Sequence, residues 1–132
     1  MILPDLIIAP SPKGGRGVFA LAVIPSGTII EISPVLVFSK QERLIVEQTL
    51  LYNYIFEWGR SRKLAALGLG YLSLYNHDYD ANADYTMDFE SALMTITTVK
   101  KLIKAMRFLL ITMQIQMIQQ KFGSMQNNLI QL

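Results

Sequence analysis

The sequence has no cysteine and a single histidine, and its C-terminal part has neither acids nor prolines. Without cysteine there can be no disulfides and no thiolate zinc sites, which fits a cytoplasmic or nuclear protein. A metal site rich in histidine is excluded as well, because the chain has only His77. We therefore predict no metal site.

Long apolar runs and a strong charge of one sign are also missing. No stretch reaches the roughly 18 uninterrupted apolar residues of a membrane-spanning helix, so we predict no membrane partner. The start carries Asp5 and early prolines and lacks a basic signal region, so we do not expect secretion. The net charge of +2 does not indicate nucleic-acid binding. The basic stretch "GRSRK" at 59–63 favours a solvated loop over a phosphate-binding one.

What is present indicates one mainly β domain with a change of composition near its end. The 132 residues are 52% hydrophobic, enough for a real core. Ser39 and Glu42 form a capping-box pattern, which predicts a short helix from about 40 to 54. A hairpin is predicted around 88–91. Apolar runs between turn residues predict strands at Leu6–Ile8, Val18–Leu21, Thr28–Ile32 and Val35–Phe38.

Two short motifs could carry chemistry. "KGGRGVFA" at 13–20 lets a backbone approach a ligand closely, although such glycine turns are usually only turns. "LYNHDYDANA" at 74–83 contains the only histidine, which could be a metal ligand, a general base or part of a turn. Its acids do not match the spacing of an EF-hand calcium loop. Each motif alone is weak.

In this order and separation, the two motifs resemble the SET domain family of protein-lysine methyltransferases. "KGGRGVFALAVIPSGTIIEISPVLVF" is similar to the family's opening segment, including an acidic residue at Glu31. "ALGLGYLSLYNHDYDANADY" resembles the central N-H-S-x-x-P-N segment, with Asp78 for the family's Ser and Ala81 for its Pro. The resemblance covers about residues 5–100 and is to the minimal, stand-alone members. It implies a SET-type (β-clip) fold of small curved sheets.

The resemblance also implies a cofactor, a substrate and site residues. The cofactor would be S-adenosylmethionine, and the substrate a protein lysine side chain, with a histone tail one suggestion. Tyr54 is the candidate catalytic residue, because it, Phe56 and Trp58 could line a lysine channel or belong to the core. The residues that would bind the cofactor are Gly15, Arg16, Gly17, Phe19, Asn76 and His77.

The C-terminal part departs from the family. The family ends with an "I-x-x-G-E-E" turn and a strand carrying Asn-Tyr, whereas this chain has no Tyr or Trp after Phe89. The last 42 residues contain no acid, and six of the eight Gln lie after position 105. We therefore divide the chain into a SET domain at 1–100, lacking its C-terminal motif, and an atypical tail at 101–132.

The tail regains the missing motif when it is translated in another frame. If each new codon takes the last base of one codon and the first two of the next, the tail admits "G-D-E-[IV]-F-I-N-Y-N". The junctions from Leu110 to Met113 supply N-Y-N, and the junction of Lys104 with Ala105 supplies the Gly. We hypothesise that the frame changed near Lys100–Lys101, where lysine codons make an A-rich run.

Alternatives remain open for the tail and for the activity. The tail could instead be an amphipathic helix that packs on the core or pairs with a second copy in a homodimer. A frameshifted tail could be helical or disordered. The function is then that of an S-adenosylmethionine-dependent protein-lysine N-methyltransferase, of an inactive SET-derived binding module or pseudoenzyme, or of a β-rich scaffold without a cofactor.

Overall fold

The computed structural model describes residues 1–12 and 15–110. The predicted mainly β fold is confirmed, with two sheets and little helix. The strands are β1 (Leu6–Pro10), β2 (Arg16–Ala20), β3 (Ile29–Phe38), β4 (Ile55–Trp58), β5 (Leu64–Gly68), β6 (Asn76–His77), β7 (Ala83–Asp88), β8 (Leu93–Thr98) and β9 (Leu109–Leu110). The helices are α1 (Lys40–Val46) and two 3-10 turns, Leu50–Asn53 and Leu72–Leu74.

Strands β1 and β2 form an antiparallel hairpin, and the other seven make one sheet. Its strand order is β4-β5-β3-β8-β7-β9-β6. Most neighbours are antiparallel, whereas β9 runs parallel to both β6 and β7. Apolar side chains of both sheets share one core cluster, so the hairpin and the large sheet pack together. Its fully buried members include Val18, Ile30, Leu72, Met94, Ile96, Leu102, Phe108 and Leu110.

Strand β3 joins two segments that the sequence predicted as separate strands. Pro34, expected to interrupt them, lies within β3 and pairs with Leu93 of β8. Residues 29–34 pair with β8, and residues 35–38 pair with β5. Proline lacks an N–H, but its carbonyl still accepts a hydrogen bond from the Leu69 N–H at 3.0 Å. The prediction of two strands was wrong because the strand changes partner without breaking.

The helix predicted at 40–54 is shorter than expected. The capping box is confirmed, since the Ser39 hydroxyl accepts from the Glu42 N–H and the Glu42 carboxylate accepts from the Ser39 N–H. The helix ends at Val46, and a 3-10 turn with Thr49 as its N-cap follows. Leu44 and Ile45 of this helix are 64% and 67% exposed, so neither is buried against the core.

Aromatic contacts show that the large sheet curls onto itself. Strands β4 and β7 are four places apart in the strand order, yet the rings of Phe56 and Tyr85 lie 6.1 Å apart. Beside them, Trp58 meets Phe89 edge to face at 5.2 Å. Phe56 and Trp58 are 2% and 3% exposed, so both belong to the core. These contacts give the curved sheet that the resemblance implied.

Residues 101–110 belong to the same fold. The backbone of Leu102 pairs with that of Ile24, and β9 lies between β7 and β6. Leu102, Phe108 and Leu110 are fully buried. This stretch is a turn and a short strand, whereas the alternative of an amphipathic helix had included Leu102 to Leu110. From residue 111 onwards, the predicted helical or disordered tail lies outside the described residues.

Ala105 occupies a backbone conformation that suits glycine. Its φ is 71°, in the left-handed region that an L side chain enters at a cost of about 1 kcal/mol or more. In the family's "I-x-x-G-E-E" turn, Gly stands three positions after the apolar residue. With Leu102 as that apolar residue, the Gly position falls on Ala105. The turn around Ala105 thus has a backbone conformation that suits glycine, with a residue that fits it poorly.

Replacing Ala105 with Gly should therefore stabilise the protein. We expect Ala105→Gly to raise the free energy of unfolding by about 0.5–1 kcal/mol, measured by urea denaturation, because relief of strain exceeds the added chain entropy. Ala22→Gly is the control, since Ala22 is not among the described residues with positive φ and should lose stability. A loss of stability in both variants would contradict the strain at Ala105.

Candidate active site

One open cavity of about 360 Å³ lies where the β1–β2 turn meets β6. Three parts of the chain form its walls: the glycine turn, the end of the first 3-10 turn, and the second 3-10 turn with β6. The lining residues are Gly15, Arg16, Asn53, Tyr54, Ser73, Leu74, Tyr75, Asn76 and His77. The cavity therefore joins the two motifs that carried the sequence prediction.

Close packing of a glycine against Asn76 brings these motifs together. A Cβ at Gly17 would overlap the Oδ1 of Asn76 and lie 3.5 Å from the Cδ of Arg107. Only a glycine lets β2 approach β6 this closely. Gly15 is the first residue that the structure describes after residue 12. It has a φ of 62°, and no atom lies near the position of its missing Cβ. The two glycines thus serve different needs, conformation at Gly15 and space at Gly17.

Hydrogen bonds fix the side-chain amide of Asn76. Its Nδ2 donates to the Arg16 carbonyl at 3.2 Å, and its Oδ1 accepts from the Ser11 hydroxyl at 2.7 Å. Arg107 then donates from Nη1 to the Ser11 hydroxyl at 2.8 Å. This chain of contacts links β1, the glycine turn, β6 and the approach to β9. Sequence reasoning missed Ser11 and Arg107, because nothing local indicates that they meet.

The structure brings most of the predicted site residues to the cavity. Gly15, Arg16, Asn76 and His77 line it, as does Tyr54. Gly17 does not line it but supports Asn76 from behind, as described above. Phe19 is not among the lining residues: it is half-buried on β2, and its backbone pairs with that of Arg107. Phe19 could therefore act on the cavity only through its neighbours.

Tyr54 is held at the cavity wall through its backbone. It ends the first 3-10 turn, where its N–H donates to the Leu51 carbonyl at 2.9 Å. Its carbonyl accepts from the Ser73 hydroxyl at 2.7 Å, and that hydroxyl accepts from the Gly68 N–H at 2.9 Å. Because Ser73 bridges two walls, it fixes the distance between Tyr54 and the segment leading to Asn76. Tyr54 is half-buried, whereas Phe56 and Trp58 are buried in the core.

Tyr75 is a lining residue that the sequence did not single out. Its ring is 2% exposed and meets Phe108 edge to face at 6.1 Å. Its hydroxyl donates to the Glu31 carboxylate at 2.8 Å. Burial, together with that carboxylate, raises the pKa of the Tyr75 hydroxyl far above its ordinary value, so the hydroxyl stays a proton donor. Its position next to Asn76 was the only available signal.

Asn82, the second asparagine of the second motif, holds strand β9 in place. Its Nδ2 donates to the Arg107 carbonyl at 2.8 Å, and its Oδ1 accepts from the Leu109 N–H at 2.8 Å. Both polar atoms of the Asn82 side chain therefore have a hydrogen-bond partner, in a residue that is 6% exposed. The sequence motif includes Asn82, but the role of its side chain depends on contacts with residues 25 and 27 positions away.

The acids between the two asparagines form a turn. The Asp78 carboxylate accepts from the Asp80 N–H at 3.0 Å, and Asp80 pairs with Lys100 at 2.6 Å on the surface. Within residues 1–12 and 15–110 there is no cluster of three or more histidines and acids placed to hold a metal ion. In the same part of the chain, no helix is both long and apolar enough to span a membrane.

Comparison with known proteins identifies the class. The sequence matches the SET domain family model over residues 15–111, which covers the first motif from Gly15 onwards, the whole second motif, the cavity and β9. The chain therefore belongs to the SET domain family, as its fold and the two motifs predicted.

Individual relatives agree with this assignment. The chain is 39% identical over 103 residues to a Schizosaccharomyces pombe protein named histone-lysine N-methyltransferase, H3 lysine-37 specific, covering 77% of this chain and 69% of that one. It is similar to a crystal structure of a candidate histone methyltransferase from Plasmodium falciparum, with a TM-score of 0.65, 29% identity, and 83% and 93% coverage. The fold also matches Chaetomium thermophilum polycomb repressive complex 2 bound to S-adenosylmethionine, with a TM-score of 0.66, 18% identity, and 81% and 15% coverage.

The contact between Gly17 and Asn76 can be tested with a double-mutant cycle. We expect Gly17→Ala to cost about 2 kcal/mol of unfolding free energy, since the new methyl group overlaps the Asn76 side chain. Combined with Asn76→Ala, the same change should cost less, giving a coupling of about 1 kcal/mol by urea denaturation. Gly15→Ala, strained but unobstructed, should show additive costs with Asn76→Ala. Additivity in both cycles would disprove the proposed contact.

Proposed function

We propose that this domain is, by ancestry and by its site, an S-adenosylmethionine-dependent protein-lysine N-methyltransferase. We also propose that the chain with its present C-terminal sequence has lost most of this activity. The observation that carries the first part is the meeting of the glycine turn with Asn76 and His77 on one cavity. The second part is carried by the sequence after Leu110, which lacks a tyrosine.

The cavity suits a cofactor of this size. Its volume of about 360 Å³ lies within the usual range of small-molecule sites, roughly 300–1,000 Å³. The backbone of Gly15 and Arg16 and the side chains of Asn76 and His77 would hold the cofactor. When bound, S-adenosylmethionine supplies a methyl group on a sulfonium that a neutral amine can accept. Asn76 is already fixed by two hydrogen bonds, so little order remains to be imposed on it when the cofactor binds.

The residues of this chain would have two tasks toward a substrate lysine. They must align its amine, and they must keep that amine neutral. Alignment depends on the rigid walls described above. An apolar, poorly hydrated surrounding lowers the pKa of a lysine, because it disfavours the charged form. Tyr54 is our candidate for the aromatic wall, since it is the aromatic residue of the predicted channel set that borders the cavity.

We propose a histone tail as the substrate class and the nucleus as the site of action. The support is the relative that is 39% identical, whose name describes a histone H3 lysine methyltransferase. A homodimer stays an expectation from sequence, without further support.

An inactive binding module is the second candidate function, and one observation favours it. Strand β9 runs beside β6, with Leu109 opposite Asn76 and Leu110 opposite His77. The family's Asn-Tyr would follow such a strand, next to the cofactor motif. Here the sequence continues with Ile111 and Thr112, so no phenol can act at that position. The cavity could then bind its ligand without efficient methyl transfer.

The conformation of Ala105 supports a change of reading frame. The shifted frame supplies a Gly at the Lys104–Ala105 junction, next to a residue whose φ of 71° favours glycine. In the same frame the acids and the Asn-Tyr pair return in the family order. The domain division at about residue 100 accordingly marks a change of coding frame, whereas the fold itself continues through Leu110.

Restoring the frame should restore methyl transfer. We expect a chain with the shifted-frame sequence after Lys101 to transfer labelled methyl groups to mixed histones at least about a hundredfold faster than the printed chain, since it regains a hydroxyl at the reacting centre. The matched control is the restored chain with its new Tyr changed to Phe, which should lose most of the gain. Equal activity of the printed and restored chains would refute the loss.

Sequencing the gene gives an independent test. We expect A-rich codons for Lys100 and Lys101, followed by bases that encode Asn-Tyr in the adjacent frame. Codons for Leu110, Ile111 and Thr112 that exclude Asn-Tyr would end the frameshift hypothesis. The proposed ancestry would still stand, because it depends on residues 15–100.

A further inference from the structure

A fully buried carboxylate lies behind the cavity. Glu31, on β3, is 0% exposed and accepts three hydrogen bonds. Its Oε1 accepts from the Tyr75 hydroxyl at 2.8 Å. Its Oε2 accepts from the Ser33 hydroxyl at 2.7 Å and from the Tyr71 N–H at 2.9 Å. Burying a carboxylate is costly unless such donors replace water, so this side chain strongly constrains its surroundings.

Two of the three donors belong to the segment that leads into the cavity. Tyr71 and Tyr75 flank the second 3-10 turn, and Tyr75 directly precedes Asn76. Glu31 therefore fixes both ends of this turn to the central strand β3. Ser33 differs from the other two donors, since it lies on β3 itself. Its bond holds Glu31 but connects no other part of the chain.

Gly70 shows how closely the segment approaches this carboxylate. A Cβ at Gly70 would overlap the Oε2 of Glu31 and lie 2.6 Å from the Ser33 hydroxyl. The φ of Gly70 is also positive, at 58°. The backbone thus passes directly over Glu31 on its way to Tyr71. The approach is possible only for a residue without a side chain.

We propose that Glu31 is a positioning residue, which sets the place of Asn76 and His77 through its bonds to Tyr71 and Tyr75. It contacts no ligand itself. The route is short: Tyr75 is adjacent to Asn76 in the chain, and Leu74 and Tyr75 both line the cavity. The effect of Glu31 on S-adenosylmethionine binding rests on the proposed function. Its effect on the placement of residues 71–77 does not.

The chain offers a matched pair of variants. Tyr75→Phe and Ser33→Ala each remove one hydroxyl that donates to Glu31, but only Tyr75→Phe breaks a link to the cavity segment. The Phe ring can keep the edge-to-face contact with Phe108. Glu31→Gln is a third variant of unchanged shape, and it should behave like Tyr75→Phe. All three are made in the full chain.

Hydrogen exchange tests the placement without any ligand. We expect Tyr75→Phe to speed exchange of the amides at 71–77 by about tenfold relative to those of β3 and β8, because a bond to a charged group is lost there. In Ser33→Ala, the amides at 71–77 should keep their protection relative to those strands. Equal effects of the two variants at 71–77 would overturn the proposal.

Calorimetric titration with S-adenosylmethionine tests the consequence for the site. We expect Tyr75→Phe to weaken binding by about tenfold and Ser33→Ala by less than about twofold. Unchanged affinity in Tyr75→Phe, with binding by the parent chain, would overturn the role of Glu31 at this site. If the parent chain does not bind, the proposed cofactor is refuted, and the exchange experiment still decides the placement of Asn76 and His77.

Discussion

The site depends on one close contact, the approach of the β2 backbone to Asn76 across the missing side chain of Gly17. Around this contact, Ser11, Arg16 and Arg107 all bond to one another or to the Asn76 amide. The two motifs lie some sixty residues apart in the chain, so no local preference can bring them together. The large sheet does so by curling until its first and fifth strands share aromatic contacts. The cavity is the space left where the hairpin then meets β6.

Local features were predictable from the sequence because their causes are local. The capping box at Ser39 and Glu42 and the hairpin at 88–91 each depend on side chains within a few residues of one another. The glycine turn and the Asn-His pair were identified by their order and spacing. Most of the candidate site residues, Gly15, Arg16, Tyr54, Asn76 and His77, do border one cavity.

Other features could not be predicted because long-range contacts decide them. Pro34 indicated an interruption, but β3 continues because its two halves have different partners. The capping box predicted a helix to about residue 54, yet α1 ends at Val46. Long-range bonds hold it, from Arg43 to Glu57 and to the carbonyls of Arg62 and Leu64. The network of Glu31, Tyr71 and Tyr75 has no periodic pattern. It exists only once β3 lies beneath the second 3-10 turn.

The position of β9 has a consequence for synthesis of the chain. This strand is the last described element to leave the ribosome, yet it lies between β7 and β6, which are made earlier. Until residue 110 emerges, the polar edges of those strands and the amide of Asn82 lack their partners, and the core lacks Phe108 and Leu110. Contacts of such long sequence separation form slowly. The nascent chain thus lacks part of its sheet and core until β9 emerges, so errors in that segment matter for folding as well as for chemistry.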